Sequence, residues 1–308
     1  MNKWQILVSD PIAPQGMEQL AAHAYVLQGP PDEHLGEYDA LIVRSATSVT
    51  AGLLQAAAPR LKVIGRAGVG VDNIDLEAAR ELGMRVVNAP HATSTAVAEH
   101  TLALLLSLAR HIPEATLRMR AGEWPKKELV GRELIGKTLG IIGLGRIGTE
   151  VAQRVAAFKM RVISYDPFLN EEDQASRGAQ AFAMDALLEQ ADFITLHLPL
   201  TEETDGLIDR PALQAMKAGA CIISTARGGL IDEEALLEAL QSGRLAGAAL
   251  DVFATEPPKN SELINHPGVI TTPHIAGQTV EAQRRVAVDI VEEVLAALEG
   301  KPLRWAIL

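Results

Sequence analysis

Leu139-Gly140-Ile141-Ile142-Gly143-Leu144-Gly145-Arg146-Ile147-Gly148 decides how this chain is read. An apolar strand, Leu139–Ile142, runs directly into three glycines spaced GxGxxG, and a helical stretch follows to about Phe158. Each glycine has its own task. The first permits a tight turn, the second lets backbone approach a pyrophosphate, and the third lets helix and strand pack closely. The helix start then offers free N–H groups and a positive dipole end to phosphates. The fingerprint alone is weak, but its context agrees. The next strand, Val162–Tyr165, ends at Asp166, where a carboxylate can accept from the adenosine ribose diol. An acid there repels a 2′-phosphate, and no arginine follows at once, so the pattern favours NAD over NADP.

Working outward, short β-branched runs alternate with helical stretches, the signature of an α/β protein with parallel sheets. Before the fingerprint, strands are expected at Ile6–Val8, Leu41–Val43, Val63–Ile64 and Val86–Val87, with helices at Gln15–Ala22 and Leu76–Glu81 between them. After it they are expected at Phe193–Leu196, Cys221–Ser224, Ala248–Val252 and Ile270–Thr272, at spacings that suit βαβ units. Ser94 to Leu108 is apolar nearly all round, so it reads as a helix buried on several faces, between domains or between subunits. Arg118 to Arg132 is charged and reads as an arm or long loop. Val280 to Glu299 reads as one amphipathic helix closed by Gly300 and Pro302.

The chain has 308 residues and a formal net charge of −11, which argues against nucleic-acid and anionic-membrane partners. Its one cysteine, Cys221, can build neither a disulfide framework nor a cysteine metal site, and no metal is expected. No apolar stretch approaches the ~20 residues of a spanning helix, and the amino terminus carries no signal-peptide core. A cytoplasmic protein acting on a small molecule is expected.

Three segments at or beyond strand ends carry groups that suit hydride transfer with a 2-keto acid. That reaction needs a cation for the carboxylate and carbonyl, a proton carrier, and a group that tunes the carrier. Arg227 follows strand Cys221–Ser224, and its planar fork suits a carboxylate. Glu256 is followed by two prolines that stiffen its loop. His274 follows a strand and Pro273. Taken singly, each could be a capping, solvated or structural residue. Together, an acid beside an imidazole would fix its tautomer and stabilise its protonated form.

These stretches carry a resemblance. Leu41 to Thr47, Gly65 to Asn73, the Gly143 to Gly148 fingerprint, Ala226 to Gly229, Gly247 to Phe253 and Pro273-His274 together make the chain similar to the D-2-hydroxyacid dehydrogenases over nearly its whole length. The resemblance implies Arg227, Glu256 and His274 as the catalytic set, with His274 as acid/base. It implies NAD held by Gly143, Gly145, Arg146, Ile147, Gly148 and Asp166, and, at the nicotinamide end, by Thr225, Ala226, Asp251, His274 and Gly277. It implies substrate contacts from Arg44, Ser45, the Gly68, Val69 and Gly70 backbone, and Arg227. The implied fold is a Rossmann cofactor domain, 93–277, inserted in a flavodoxin-like substrate domain made of 1–92 and 278–308, with closure between the two excluding water. A homodimer or dimer of dimers is implied. Val69 and Leu198 stand where some family members have threonine, and Ile275 to Gln278 is less usual. If Leu308 ends the protein, the regulatory domain of longer relatives is not expected.

The substrate is the open point. A phosphorylated 2-hydroxy acid needs cations beyond Arg227, with Arg44, Arg66, Lys126 and Lys127 available. Lys126 and Lys127 fit a solvated pair slightly better. Reduction of glyoxylate or hydroxypyruvate needs no phosphate pocket. A nucleotide-sensing corepressor is the reading from another class.

Overall fold

The computed structural model describes residues 3–31, 34–259 and 262–308. It divides into two compact units, one of Met1–Ser94 with Gly277–Leu308, the other of Thr95–Ala276.

The first unit holds five parallel strands, β1 (Trp4–Val8), β2 (Ala24–Gln28), β3 (Ala40–Val43), β4 (Val63–Arg66) and β5 (Arg85–Asn88), in the order β2-β1-β3-β4-β5. That is the flavodoxin-like order, with a topological switch point between β1 and β3. The central strand β3 is buried along its length, as a sheet covered on both faces demands. Helix Val280–Leu298 returns to cover one face through Val286, Ile290 and Val294. It lies so close to β4 that a Cβ on Gly65 would stand 2.4 Å from Val294 Cγ2. Thr279 caps this helix by accepting from the Ala282 N–H at 3.1 Å.

The second unit holds seven parallel strands, β6 (Thr138–Ile142), β7 (Arg161–Tyr165), β8 (Gln180–Ala181), β9 (Phe193–Leu196), β10 (Cys221–Ser224), β11 (Gly247–Leu250) and β12 (Val269–Thr271). Their order is β12-β11-β10-β9-β6-β7-β8, a doubly wound Rossmann sheet whose switch point lies between β6 and β9. One apolar cluster covers one face, centred on Ile194, Ile222 and Leu236, and a second, centred on Leu105, Val151 and Ile223, covers the other. Both sheets are therefore parallel and doubly wound, the fold class that the chain's pattern and resemblance imply.

Three features depart from the sequence reading. Two edge strands, β2 and β8, carry no clear pattern: β2 pairs only with β1 and leaves Tyr25 and Leu27 exposed. The segment expected to begin as an arm at Arg118 is helical up to Arg120, within Ile112–Arg120, and only then turns away. There Arg118 gathers Glu123 at 2.6 Å and Glu128 at 2.8 Å, folding the start of the segment onto its own helix. Strands β11 and β12 also stop earlier than expected, at Leu250 and Thr271, which releases Asp251 and Thr272 into loops. Among the described residues, no helix is long and apolar enough to cross a membrane.

Candidate active site

The glycine loop after β6 meets each of its three constraints separately. Gly143 has φ +88°, and a Cβ there would stand 2.7 Å from the His197 carbonyl oxygen. Gly148 leaves no room for a side chain, because a Cβ would meet the Gly143 carbonyl oxygen at 2.3 Å. Gly145 faces the reverse situation, with no atom within 4 Å of where its Cβ would be. An open approach at the middle glycine, between two tightly packed ones, is the cradle a pyrophosphate needs. Gly145 is also the N-cap of helix Arg146–Val155, and no side chain caps it. Exposed Arg146 and half-buried Ile147 open that helix. The loop and helix start thus fit a dinucleotide.

Asp166 lies just beyond β7, and its carboxylate accepts from the Leu144 N–H at 2.9 Å and the Phe168 N–H at 3.0 Å. Each oxygen retains acceptor capacity, so a ribose diol can still be bound.

Arg227, Glu256 and His274 are brought to one edge because β10, β11 and β12 are consecutive neighbours in the sheet. Each residue follows the carboxyl end of its own strand, the edge where ligands bind in open α/β sheets. Nδ1–H of His274 donates to Glu256 Oε2 at 2.7 Å, and Oε1 of the same carboxylate accepts from the Phe253 N–H at 3.1 Å. His274 is half-exposed, as a group that must reach a substrate should be. Its φ of +53° is unusual for a residue with a side chain and costs about 1 kcal/mol. Arg227 is half-buried, with Nη1 donating to the Ala226 carbonyl at 2.6 Å. Next to it, a Cβ on Gly228 would stand 1.9 Å from the Phe253 carbonyl oxygen. Only glycine lets the Arg227 loop lie against the loop that carries Glu256.

Asp251, expected at the nicotinamide end, is wholly buried and engaged by protein. Its Oδ1 accepts from Thr272 Oγ1 at 2.5 Å and the Ile275 N–H at 2.9 Å; its Oδ2 accepts from the Ala276 N–H at 2.8 Å. Thr225 Oγ1 lies 3.0 Å from Thr101 Oγ1, and Ala226 is buried. Gly277 belongs to the first unit, where its carbonyl accepts from Gln283 at 3.0 Å.

The first unit's candidates line the carboxyl edge of its own sheet. Arg44 follows β3 at the switch point, its N–H held by Asp10 at 2.6 Å and its guanidinium 3.2 Å from Gln278 Oε1. Ser45 is exposed, and the Val69 carbonyl accepts from Asn88 Nδ2 at 2.6 Å. Gly68, at φ +157°, folds back so that its own N–H donates to the Arg66 carbonyl at 2.8 Å, and Gly70 follows half-buried.

Several polar residues that the sequence reading does not reach support this edge. Thr272 donates to Asp251, so its oxygen is free to accept from His100 Nε2 at 3.0 Å. His100 and Thr101 directly precede the apolar run Leu102–Leu106 of helix Ser94–Arg110, and a polar pair at that point is a legible signal. His197, just beyond β9, has Nε2 3.0 Å from Thr195 Oγ1, while its Nδ1 is shut off from solvent without a partner. Burial pushes its pKa down to about 3. Among the described residues, no cluster of three or more His, Cys, Asp or Glu could hold a metal.

An open glycine cradle, a ribose-side acid and a carboxylate-held imidazole on one sheet edge are the equipment of a nucleotide-dependent oxidoreductase. Comparison with known proteins agrees. Residues 102–276 match the family described as D-isomer specific 2-hydroxyacid dehydrogenase, NAD binding domain. The chain is 48% identical over 99% of its length to D-3-phosphoglycerate dehydrogenase of Bacillus subtilis, and 48% identical over 96% to the enzyme of that name from Methanocaldococcus jannaschii. It spans 59% and 58% of those two relatives. A glyoxylate reductase structure from Paecilomyes thermophila superposes with a TM-score of 0.89 at 33% identity, covering 100% of this chain and 99% of that one. The chain belongs to the D-isomer specific 2-hydroxyacid dehydrogenase family, and its second unit contains the family's NAD-binding domain.

Proposed function

We propose that this chain oxidises D-3-phosphoglycerate to 3-phosphohydroxypyruvate with NAD, reversibly. Similarity to phosphoglycerate dehydrogenases over nearly the whole chain supports the substrate. The observation that carries the chemistry is the 2.7 Å bond between Glu256 and His274. With Nδ1 engaged, Nε2 is the nitrogen left to take the proton of the substrate hydroxyl during oxidation and to return it during reduction. Glu256 holds the ring in that orientation and offsets its charge when protonated. Arg227 holds the carboxylate and polarises the neighbouring carbonyl. NAD, when bound, supplies the hydride acceptor; Gly143 to Gly148 hold its pyrophosphate, Asp166 its ribose, and Thr225, Ala226, Asp251 and Gly277 its nicotinamide end.

In the same reading, 1–92 with 278–308 form the substrate domain and 93–277 the cofactor domain. Arg44, Ser45 and the Gly68 to Gly70 backbone hold the substrate, with Arg44 on its phosphate. We also propose a homodimer, because Ile112, Leu117, Met119, Trp124 and Val130 leave apolar surface exposed along one helix and the segment after it. Its place is the cytoplasm, where NAD and phosphorylated acids are kept.

The deciding experiment compares NAD-linked oxidation of D-3-phosphoglycerate with NADH-linked reduction of glyoxylate and hydroxypyruvate. Phosphoglycerate is expected to give the highest kcat/KM. A preference above about tenfold for the unphosphorylated acids, ~1.4 kcal/mol in transition-state binding, removes this substrate. Absence of turnover on every acid, with NADH binding intact, favours a nucleotide-sensing role instead.

A further inference from the structure

The ribose-side carboxylate has a cationic neighbour that sequence adjacency conceals. Arg177 lies eleven positions after Asp166, at the C-cap of helix Glu171–Ser176. Its Nη1 donates to the Leu144 carbonyl at 2.8 Å. The N–H of that same Leu144 donates to Asp166 Oδ2 at 2.9 Å. A carboxylate and a guanidinium therefore hold the two ends of one residue, inside the glycine loop itself. Standard backbone dimensions put the N and O of one residue about 3 Å apart, so the two charged groups lie within roughly 9 Å of each other. That distance is within the swing of an arginine side chain.

The placement is fixed by more than these two bonds. Gln174 is buried, accepts from Ser164 Oγ at 2.8 Å, and donates through Nε2 to the Leu169 carbonyl at 2.9 Å. Ser164 belongs to β7, so the short helix that carries Arg177 is pinned to the strand that ends at Asp166. Arg177 is half-buried, neither spent in the core nor loose in solvent.

We propose that Arg177 is a second cofactor-specificity residue: a guanidinium kept beside the adenosine ribose, whose attraction for a 2′-phosphate is overridden by the Asp166 carboxylate. In the native chain it works as a positioning group and holds the Leu144 peptide so that the loop stays shaped for a pyrophosphate. Discrimination against a 2′-phosphorylated dinucleotide then rests on Asp166 alone. Once that charge is gone, a planar fork suited to phosphate is already in reach. The inference rests on the family's NAD-binding assignment of this unit and is independent of the 2-hydroxy acid used.

The test titrates NADH and NADPH separately into the full chain, following quenching of protein fluorescence. Asp166→Asn keeps an acceptor for the Leu144 N–H and is expected to improve NADPH binding relative to NADH at least tenfold. Adding Arg177→Gln to that variant is expected to remove most of the gain. NADPH binding to the single variant is expected to weaken more steeply with added salt than binding to the double variant, since a charge–charge contact is screened. A double variant that binds NADPH as well as Asp166→Asn overturns the proposal, as does an Asp166→Asn protein with no gain at all. Loss of NADH binding by the unaltered chain would instead sink the cofactor assignment. If Asp166→Asn does not fold, the same comparison is made between Asp166→Ala and Asp166→Ala/Arg177→Gln, and equal NADPH binding by that pair is equally fatal.

Discussion

Glu256 Oε2 lies 2.7 Å from Nδ1 of His274, and the other oxygen of that carboxylate is held by the Phe253 N–H. The acid is thus fixed from behind and fixes the ring in turn, leaving Nε2 to face a substrate. Replacing His274 by Asn keeps a polar side chain but removes the proton carrier. His274→Asn is expected to lower turnover about a thousandfold, within the usual range for a general acid–base, while NADH binding persists. Glu256→Gln is expected to lower kcat more than it raises KM, because the amide oxygen can still accept from Nδ1–H and hold the ring, whereas the charge that stabilises the protonated ring is gone. Steady-state kinetics with an NADH titration checks both. Activity of His274→Asn within a few-fold of native refutes the role.

Asp251 supports that histidine from the loop just after the neighbouring strand, β11. The His274 N–H donates to the Asp251 carbonyl at 2.8 Å, while the Asp251 carboxylate takes the N–H groups of Ile275 and Ala276. The left-handed turn at His274 is thereby clamped on both sides. Asp251→Asn replaces one acceptor oxygen by a donor, so at least one buried donor loses its partner, at a cost of about 2 kcal/mol. A lower urea midpoint together with reduced kcat is expected. Unchanged stability, with only the KM for NAD raised, would refute the clamp and leave Asp251 with its proposed role at the nicotinamide end alone.

What the sequence displays and what it hides follow from the range of each constraint. The turn at Gly143 and the close contact at Gly148 are demands on a few consecutive residues, so a glycine pattern reports them. Central strands such as β9 and β10 are buried throughout and largely apolar because both faces are covered, and their bounds are read to the residue. Edge strand β2 has one neighbour and exposed apolar residues, so no alternation marks it. Arg227, Glu256 and His274 stand out as polar residues just past apolar runs. The span from Arg177 to Leu144 crosses 33 positions and depends on the path of a loop, which no periodicity encodes. The same holds for the donors that converge on Asp251.

The middle and last glycines of the fingerprint can be separated by one methyl group each. Alanine at 145 meets no atom within 4 Å, and its backbone, at φ −69°, suits any residue. Gly145→Ala is therefore expected to leave stability within about 0.5 kcal/mol and to weaken NADH binding at least tenfold, because the methyl occupies the pyrophosphate's approach. Gly148→Ala drives a methyl into the Gly143 carbonyl, and the helix must move off the strand. A loss of about 1–3 kcal/mol in stability is expected. Urea melts and NADH titrations of the two proteins decide it; equal stability losses would remove the distinction drawn between these glycines.

His197 ties folding to pH. Burial holds its pKa near 3, whereas an unfolded histidine titrates near 6.5. Above pH 6.5 both states are neutral and the group contributes no pH dependence. As pH falls below that value the unfolded chain binds a proton that the folded ring refuses, so stability drops toward acid, by at most about 1.4 kcal/mol per pH unit for one proton. The loss ends only near pH 3, where the folded ring protonates too. His197→Gln keeps a polar atom toward Thr195 and removes the titration. Its urea midpoint is expected to fall less between pH 6.5 and 4 than that of the native chain, although the two converge above pH 7 apart from a constant packing difference. Parallel profiles across the acid range would mean that His197 takes up its proton in the folded protein as easily as in the unfolded one.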